Sequence, residues 1–168
     1  ISQYRLIIIP YALMITRKMA DGIKNYVQNG GNAFSEARLA RNDNRGYTDG
    51  VIPGLGLSSV FGVRESKVKS LKNVYINVTD NTHPSMSRLQ KGDTITGSQF
   101  AESVEMLSTD KNARALARLD DGTPCIVTSD YGRGHTMYVG SFLAMANSRG
   151  SQWDQSTQRI TVQDSAYR

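Results

Sequence analysis

Arg5 to Ile9 reads RLIII, a short apolar run rich in β-branched residues and stopped by Pro10. Such a run is the pattern of a strand buried on both faces, as in a parallel sheet. Thr16 is placed to cap the next element, in which Met19, Ile23, Tyr26 and Val27 recur at helical spacing and Gly30 supplies the stop. Asn32 to Ala37, NAFSEA, is then the expected next parallel strand, because a right-handed crossover returns the chain beside the first.

Between Arg38 and Gly62 the periodicity fades into a glycine-rich loop region, with one helical turn expected at Leu57 to Phe61. Long loops after parallel strands commonly carry function or contacts. Val74, Ile76 and Val78 alternate with Tyr75 and Asn77, the pattern of a half-exposed strand, and NTHP at Asn81 to Pro84 ends it. FAESVEML, Phe100 to Leu107, predicts a helix with Phe100, Val104 and Leu107 on one face and Glu102 and Glu105 on the other. From Ala113 to Phe142 the runs ARALARL, PCIVTSDY and HTMYVGSF, separated by DDGT and GRG, predict an antiparallel meander. The tail is read as a helix through Trp153, Thr157 and Ile160, although Ile160 and Val162 also fit a strand.

Composition narrows the function more than the fold. The chain has 168 residues, the size of one domain, with 39% apolar and 21% charged residues. No apolar run is long enough for a membrane helix, and the start has neither an initiator Met nor a basic stretch before its apolar run, so no targeting segment is read and a cytoplasmic setting is expected. The chain reads as cut from something longer. A net charge of +5 admits an acidic partner, but the 20 Lys and Arg residues are dispersed. Arg64, Lys67, Lys69 and Lys72, the densest set, have no aromatic residue among them for base stacking, which argues against nucleic acid. A single cysteine, Cys125, excludes an internal disulfide and a multi-cysteine zinc site.

Several pieces together resemble one family. YRLIIIP, a helix ending YVQNGG, the segment NDNRGYTDGVIPGLGLSSVFGVR and finally LARLDDGTPCIVTSDYGRGHTMYVGSFLA are similar to the trimerisation domain of family 42 glycoside hydrolases, the β-galactosidases. The resemblance runs from about Tyr4 to Ala144. It implies a flavodoxin-like fold, similar to class I glutamine amidotransferases: a three-layer α/β sandwich, mainly parallel, with an antiparallel meander on its C-terminal side. It also implies a homotrimer and a catalytic barrel in the same chain. The family's domain begins with a strand, a helix and a strand ahead of the position of Tyr4, and these are absent from the sequence. The expected organisation is therefore a truncated domain over 1–150, followed at 151–168 by a terminal helix or a linker toward another domain.

An amidotransferase sets a cysteine on a sharp strand-to-helix turn and activates it with a later histidine and glutamate. The turn after NAFSEA offers Ser35, Glu36, Ala37 and Arg38 instead. Cys125 falls in a meander strand, where a small core residue is the better reading. Ser35 lacks a GxSxG context, so Ser35, Glu36 and Arg38 are read as a vestigial site, with Glu36 and Arg38 also suited to ion pairs at a surface. His83 and His135 stand in no paired metal-ligand spacing, and GLGLSSVFG lacks both the strand and the lysine of a phosphate loop. Asn77 opens a glycosylation sequon within a strand. No carboxylate pair is placed to hydrolyse a glycoside; in the resembled family both catalytic glutamates lie on the barrel.

The sequence thus reads as a non-catalytic assembly domain of a β-galactosidase-type enzyme, needing no cofactor or metal, with no nucleic-acid or membrane partner. The expected contact residues are Arg38, Arg41, Asn42, Asp43, Tyr47, Val51, Ile52, Pro53 and Leu55, where an apolar VIPGL group beside charges resembles an interface core with a polar rim. Two rivals remain. One is an amidotransferase-like or other hydrolase with a divergent site near Ser35 and Glu36, which requires His83 or His135 within reach. The other is a carbohydrate-binding accessory domain, which requires an exposed Trp153 or a row formed by Tyr47, Tyr75 and Tyr131.

Overall fold

The computed structural model describes residues 3–71, 74–97, 100–106, 113–143, 151–154 and 159–162, the backbone alone for 70, 100–106, 151–154 and 159–162. In chain order the elements are β1 (Leu6–Ile9), α1 (Arg17–Gln28), β2 (Asn32–Glu36), α2 (Ser58–Phe61), β3 (Val63–Ser70), β4 (Val74–Val78) and a 3-10 turn (Pro84–Met86). They continue with β5 (Thr94–Gly97), β6 (Phe100–Met106), β7 (Arg114–Leu119), β8 (Pro124–Tyr131), β9 (Gly134–Val139), β10 (Ser151–Asp154) and β11 (Arg159–Val162).

The main sheet has seven strands in the order β1-β2-β9-β8-β7-β4-β5. β1, β2 and β9 run parallel, and every pairing beyond β9 is antiparallel. The βαβ unit read from the sequence is present. Thr16 caps α1 by accepting the Met19 amide at 3.2 Å, and α1 returns the chain so that Leu6 pairs with Asn32 and Ile9 with Ser35. The helix buries Ala20, Ile23, Tyr26 and Val27, whereas Met19, expected on that face, is exposed. The meander of β7, β8 and β9 and the half-exposed β4 are also as expected.

The flavodoxin-like, amidotransferase-like three-layer sandwich is not. Among the described residues only two α-helices occur, and the sheet curls into a half-barrel. Both helices pack on the face carrying Ala33, Val127 and Tyr138. On the other face Val74, Ile76, Val78, Leu116 and Ile126 are covered by the 3-10 turn through Met86, with Phe34 and Met137 packed at the border. A three-layer sandwich needs helices on both faces; here curvature and loops do that work for the second.

Three local expectations fail with it. The helix expected over FAESVEML is not formed by its described residues: Phe100 to Met106 is strand β6, which pairs antiparallel with β3 from Ser70↔Phe100 to Val63↔Met106, and Leu107 lies outside the described residues. Phe100, Val104 and Met106 recur at even positions, as a strand face also requires, and the long partner β3 decides between helix and strand. The tail likewise forms two antiparallel strands, with Trp153 opposite Ile160, in place of the expected terminal helix. RLIII is buried on one side only: Ile7 and Ile9 pack on the helical layer, while Leu6 and Ile8 are 51% and 63% exposed. β1 is the edge of the sheet, with a neighbour only in β2 among the described residues.

Candidate functional site

The carboxyl ends of β1 and β2 are where a parallel sheet collects ligands. Each strand there leaves through a left-handed residue: Tyr11 at φ 45° after β1, then Arg38 at 65° and Ala40 at 52° after β2. Non-glycine residues in this region are held only where neighbours fix them. Backbone hydrogen bonds from Ala40 to Ala12 and from Asn42 to Leu13, both 2.9 Å, lace the two exits together.

Ser35 is fully buried, with its hydroxyl 3.1 Å from the carbonyls of Ile9 and Glu36. A serine whose proton is directed at backbone carbonyls has no base to give it to. Glu36, 4% exposed, ends the strand beside it, and Arg38 offers its amide to Glu65 Oε1 at 2.6 Å. The same oxygen accepts the hydroxyl proton of the buried Tyr138. Glu65 and Tyr138 thus meet the chain where it turns out of β2. Spacing gave no sign of them, since Glu65 lies on β3 and Tyr138 on β9.

The histidines lie elsewhere. His83 and His135 border a groove of about 410 Å³ on the opposite sheet face, among Leu6, Ile8, Phe34, Thr128 and Met137. His135 Nδ1 is 2.6 Å from Asp130 Oδ1, and His83 Nδ1 is 2.7 Å from the Ser85 hydroxyl. Partial burial, then the positive Arg114, push the His83 pKa down. With the histidines on the far side of the sheet from the Ser35 side chain, the divergent-hydrolase arrangement is not assembled. Among the described residues no group of His, Cys, Asp and Glu is arranged to hold a metal ion, and no helix is long and apolar enough to cross a membrane. Cys125 is buried in the second core, and loss of hydration pushes its thiol up to about 12.

The loop from Arg38 to Leu57 is tightly organised. Asp43 Oδ1 accepts the amides of Arg45 and Tyr47 at 2.8 and 3.0 Å, and Asn42 Nδ2 donates to the Gly46 carbonyl at 2.8 Å. Asp49 accepts from Val51 at 3.3 Å and from Leu55 at 2.7 Å, where Leu55 takes a φ of 55°. Of the residues expected to make contacts, Tyr47 is 71% exposed, Arg38, Arg41, Asn42, Asp43, Val51, Ile52 and Leu55 are half-buried, and Pro53 is buried. Leu55 packs on the helical core, so the VIPGL group points inward as much as outward.

The family model for the β-galactosidase trimerisation domain matches residues 1–155. The chain belongs to this family. Its fold is shared by the β-galactosidase from Bacillus circulans sp. alkalophilus, with a TM-score of 0.72 and 19% identity over 84% of this chain and 20% of that one. The β-galactosidase from Rahnella sp. R3 superposes with a TM-score of 0.70 at 23% identity, covering 85% of this chain and 22% of that one. A cytoplasmic protein from Salmonella typhimurium has a TM-score of 0.61 at 16% identity, covering 83% of this chain and 61% of that one. No curated protein matches the chain. The trimerisation domain described here therefore spans about a fifth of the length of the β-galactosidases it resembles.

For the trimerisation domain, the carbohydrate-binding rival finds little in the geometry. Tyr47 and Tyr75 are exposed, but Tyr47 sits in the loop after β2, Tyr75 on the distant strand β4, and Tyr131 packs against the helical core. The side chain of Trp153 lies outside the described residues.

Proposed function

We propose that this domain joins copies of a longer, β-galactosidase-type polypeptide into a homotrimer, and that hydrolysis of the O-glycosidic bond is performed by a barrel domain of the same polypeptide. In this reading the unit over 1–150 is the assembly domain and 151–168 leads on from it. The observation that carries the proposal is the family match over residues 1–155. The chemistry at the end of β2 supports it: a serine bonded to carbonyls and a glutamate engaged by Arg38 and Tyr138 make a rigid corner with no activated nucleophile.

A rigid corner suits assembly, because surface loops held in one conformation lose little entropy on association. The expected contact loop, Arg38, Arg41, Asn42, Asp43, Tyr47, Val51, Ile52, Pro53 and Leu55, acts in two ways. Its tip faces the partner copy, and Val51 to Leu55 hold the tip from within. The test is the mass of the full-length protein by multi-angle light scattering alongside its β-galactosidase activity. A trimer with activity is expected; an active monomer at every concentration would refute the reading.

A further inference from the structure

We propose that the 3-10 turn Pro84–Met86 is a pH-sensitive lid on the second core, held closed by the uncharged imidazole of His83 and loosened when that ring gains a proton. His83 caps the turn: its Nδ1 accepts the Ser85 amide at 3.3 Å and lies 2.7 Å from the Ser85 hydroxyl. Accepting a backbone N–H takes a lone pair on Nδ1, so the capping ring is the neutral tautomer with its proton on Nε2. Protonation places a second N–H on the ring, at Nδ1. The Ser85 hydroxyl can rotate to accept it, but the Ser85 amide then faces a donor and loses its partner.

What the cap holds is the cover of the sheet. Met86 is the buried side chain of the turn, 4% exposed, and belongs to the second core with Val78, Leu116 and Ile126. The ends of the segment are pinned independently of the cap. Asp80 accepts the Thr82 amide at 3.0 Å and pairs with Arg114, and the Gly92 amide donates to the Val78 carbonyl at 2.9 Å. A segment tied at both ends and capped between them by one titratable ring can open locally while the sheet stays intact. The surroundings favour the uncharged ring. Burial, the guanidinium of Arg114 on β7 and His135 on β9 lower the His83 pKa from 6.5, against Asp130 on β8 and Asp80. To the groove that His83 borders, β1 and β2 bring only uncharged side chains, Leu6, Ile8 and Phe34 among them. The folded ring thus binds its proton less tightly than the unfolded chain does. The closed turn is favoured above pH 6.5 and loses that advantage as pH falls below it.

The experiment is amide exchange read by mass spectrometry on the full-length protein at about pH 7.5 and about pH 4.5, with rates divided by their intrinsic values. It compares wild type with His83→Asn, whose amide oxygen caps at either pH, and with His135→Gln. In wild type and His135→Gln, Ser85 to Leu89 are expected to lose roughly threefold to tenfold in protection at the lower pH, while Gly92 stays protected. His83→Asn is expected to show no such loss. Equal protection of wild type at both pH values overturns the proposal, as does the same loss in His83→Asn or its abolition in His135→Gln. Deuterium exchange at the imidazole C2 of His83 in wild type gives a check that needs no variant. A midpoint below 6.5 that coincides with the loss of protection is expected. A midpoint above 6.5, or one that does not follow the turn, would overturn the lid.

Discussion

Tyr138, buried on β9, donates its hydroxyl to Glu65 on β3, and the same carboxylate oxygen accepts the Arg38 amide that ends β2. One acidic side chain thus ties the small β3–β6 sheet to the main sheet at the corner where its parallel strands end. Hydrogen bonds to a charged acceptor contribute about 1.5–3 kcal/mol each. Tyr138→Phe, which removes only the hydroxyl, is expected to lower unfolding stability by roughly that much. Glu65→Ala is expected to cost more, since the Arg38 amide loses its acceptor too. Urea denaturation checks both; an unchanged midpoint for Glu65→Ala would show that the carboxylate does not brace the corner.

The loop after β2 depends in the same way on Asp49, which accepts from Val51 and Leu55. Asp49→Ala is expected to destabilise by about 2 kcal/mol and to speed amide exchange at Leu55, whose left-handed backbone then loses its anchor. Amide exchange followed by mass spectrometry reads this directly. Protection at Leu55 equal to wild type would contradict the role given to Asp49.

Gly54 packs closely against the exit of β2. A Cβ there would lie 2.0 Å from the Ala40 carbonyl oxygen, closer than any side chain tolerates. Gly54→Ala is expected to cost about 1–3 kcal/mol through the forced backbone shift, whereas Gly50→Ala, with open space around its Cβ, is expected to be nearly silent. Thermal unfolding of the two variants side by side makes the comparison.

Cys125 sets a pH dependence. Its thiol is raised to about 12 in the fold from an ordinary value of 9.0, chiefly by burial, with the Gly140 amide opposing. The fold therefore holds the proton more tightly than the unfolded chain. The associated stability is fully present below pH 9 and declines as pH rises from there through about 12. Cys125→Ala is expected to lose less stability than wild type between pH 8 and pH 10.5, whatever its offset at neutral pH. A thiol reagent at pH 8 is expected to label Cys125 only on unfolding. Rapid labelling of the native protein would contradict its burial.

Local periodicity made part of this legible. RLIII, the Thr16 cap and NAFSEA predict the βαβ unit because each uses a short-range signal, and the glycine turns DDGT and GRG predict the meander for the same reason. What was not legible depends on partners distant in sequence. FAESVEM is a strand because β3 lies beside it, and the edge position of β1 follows from the strand order, which no local pattern encodes. The flavodoxin-like expectation came from the resemblance and failed on the second sheet face, where a 3-10 turn stands in place of a helical layer. At the candidate site, SEAR set Ser35 and Glu36 where an amidotransferase turn would carry a cysteine. It could not disclose Glu65 and Tyr138, which arrive from two other strands.

The central proposal is that the domain holds copies of the chain together. Light scattering of the full-length protein over a hundredfold range of concentration tests it most directly. A mass three times that of the chain is expected, maintained until the most dilute samples. A mass equal to one chain throughout that range would contradict it.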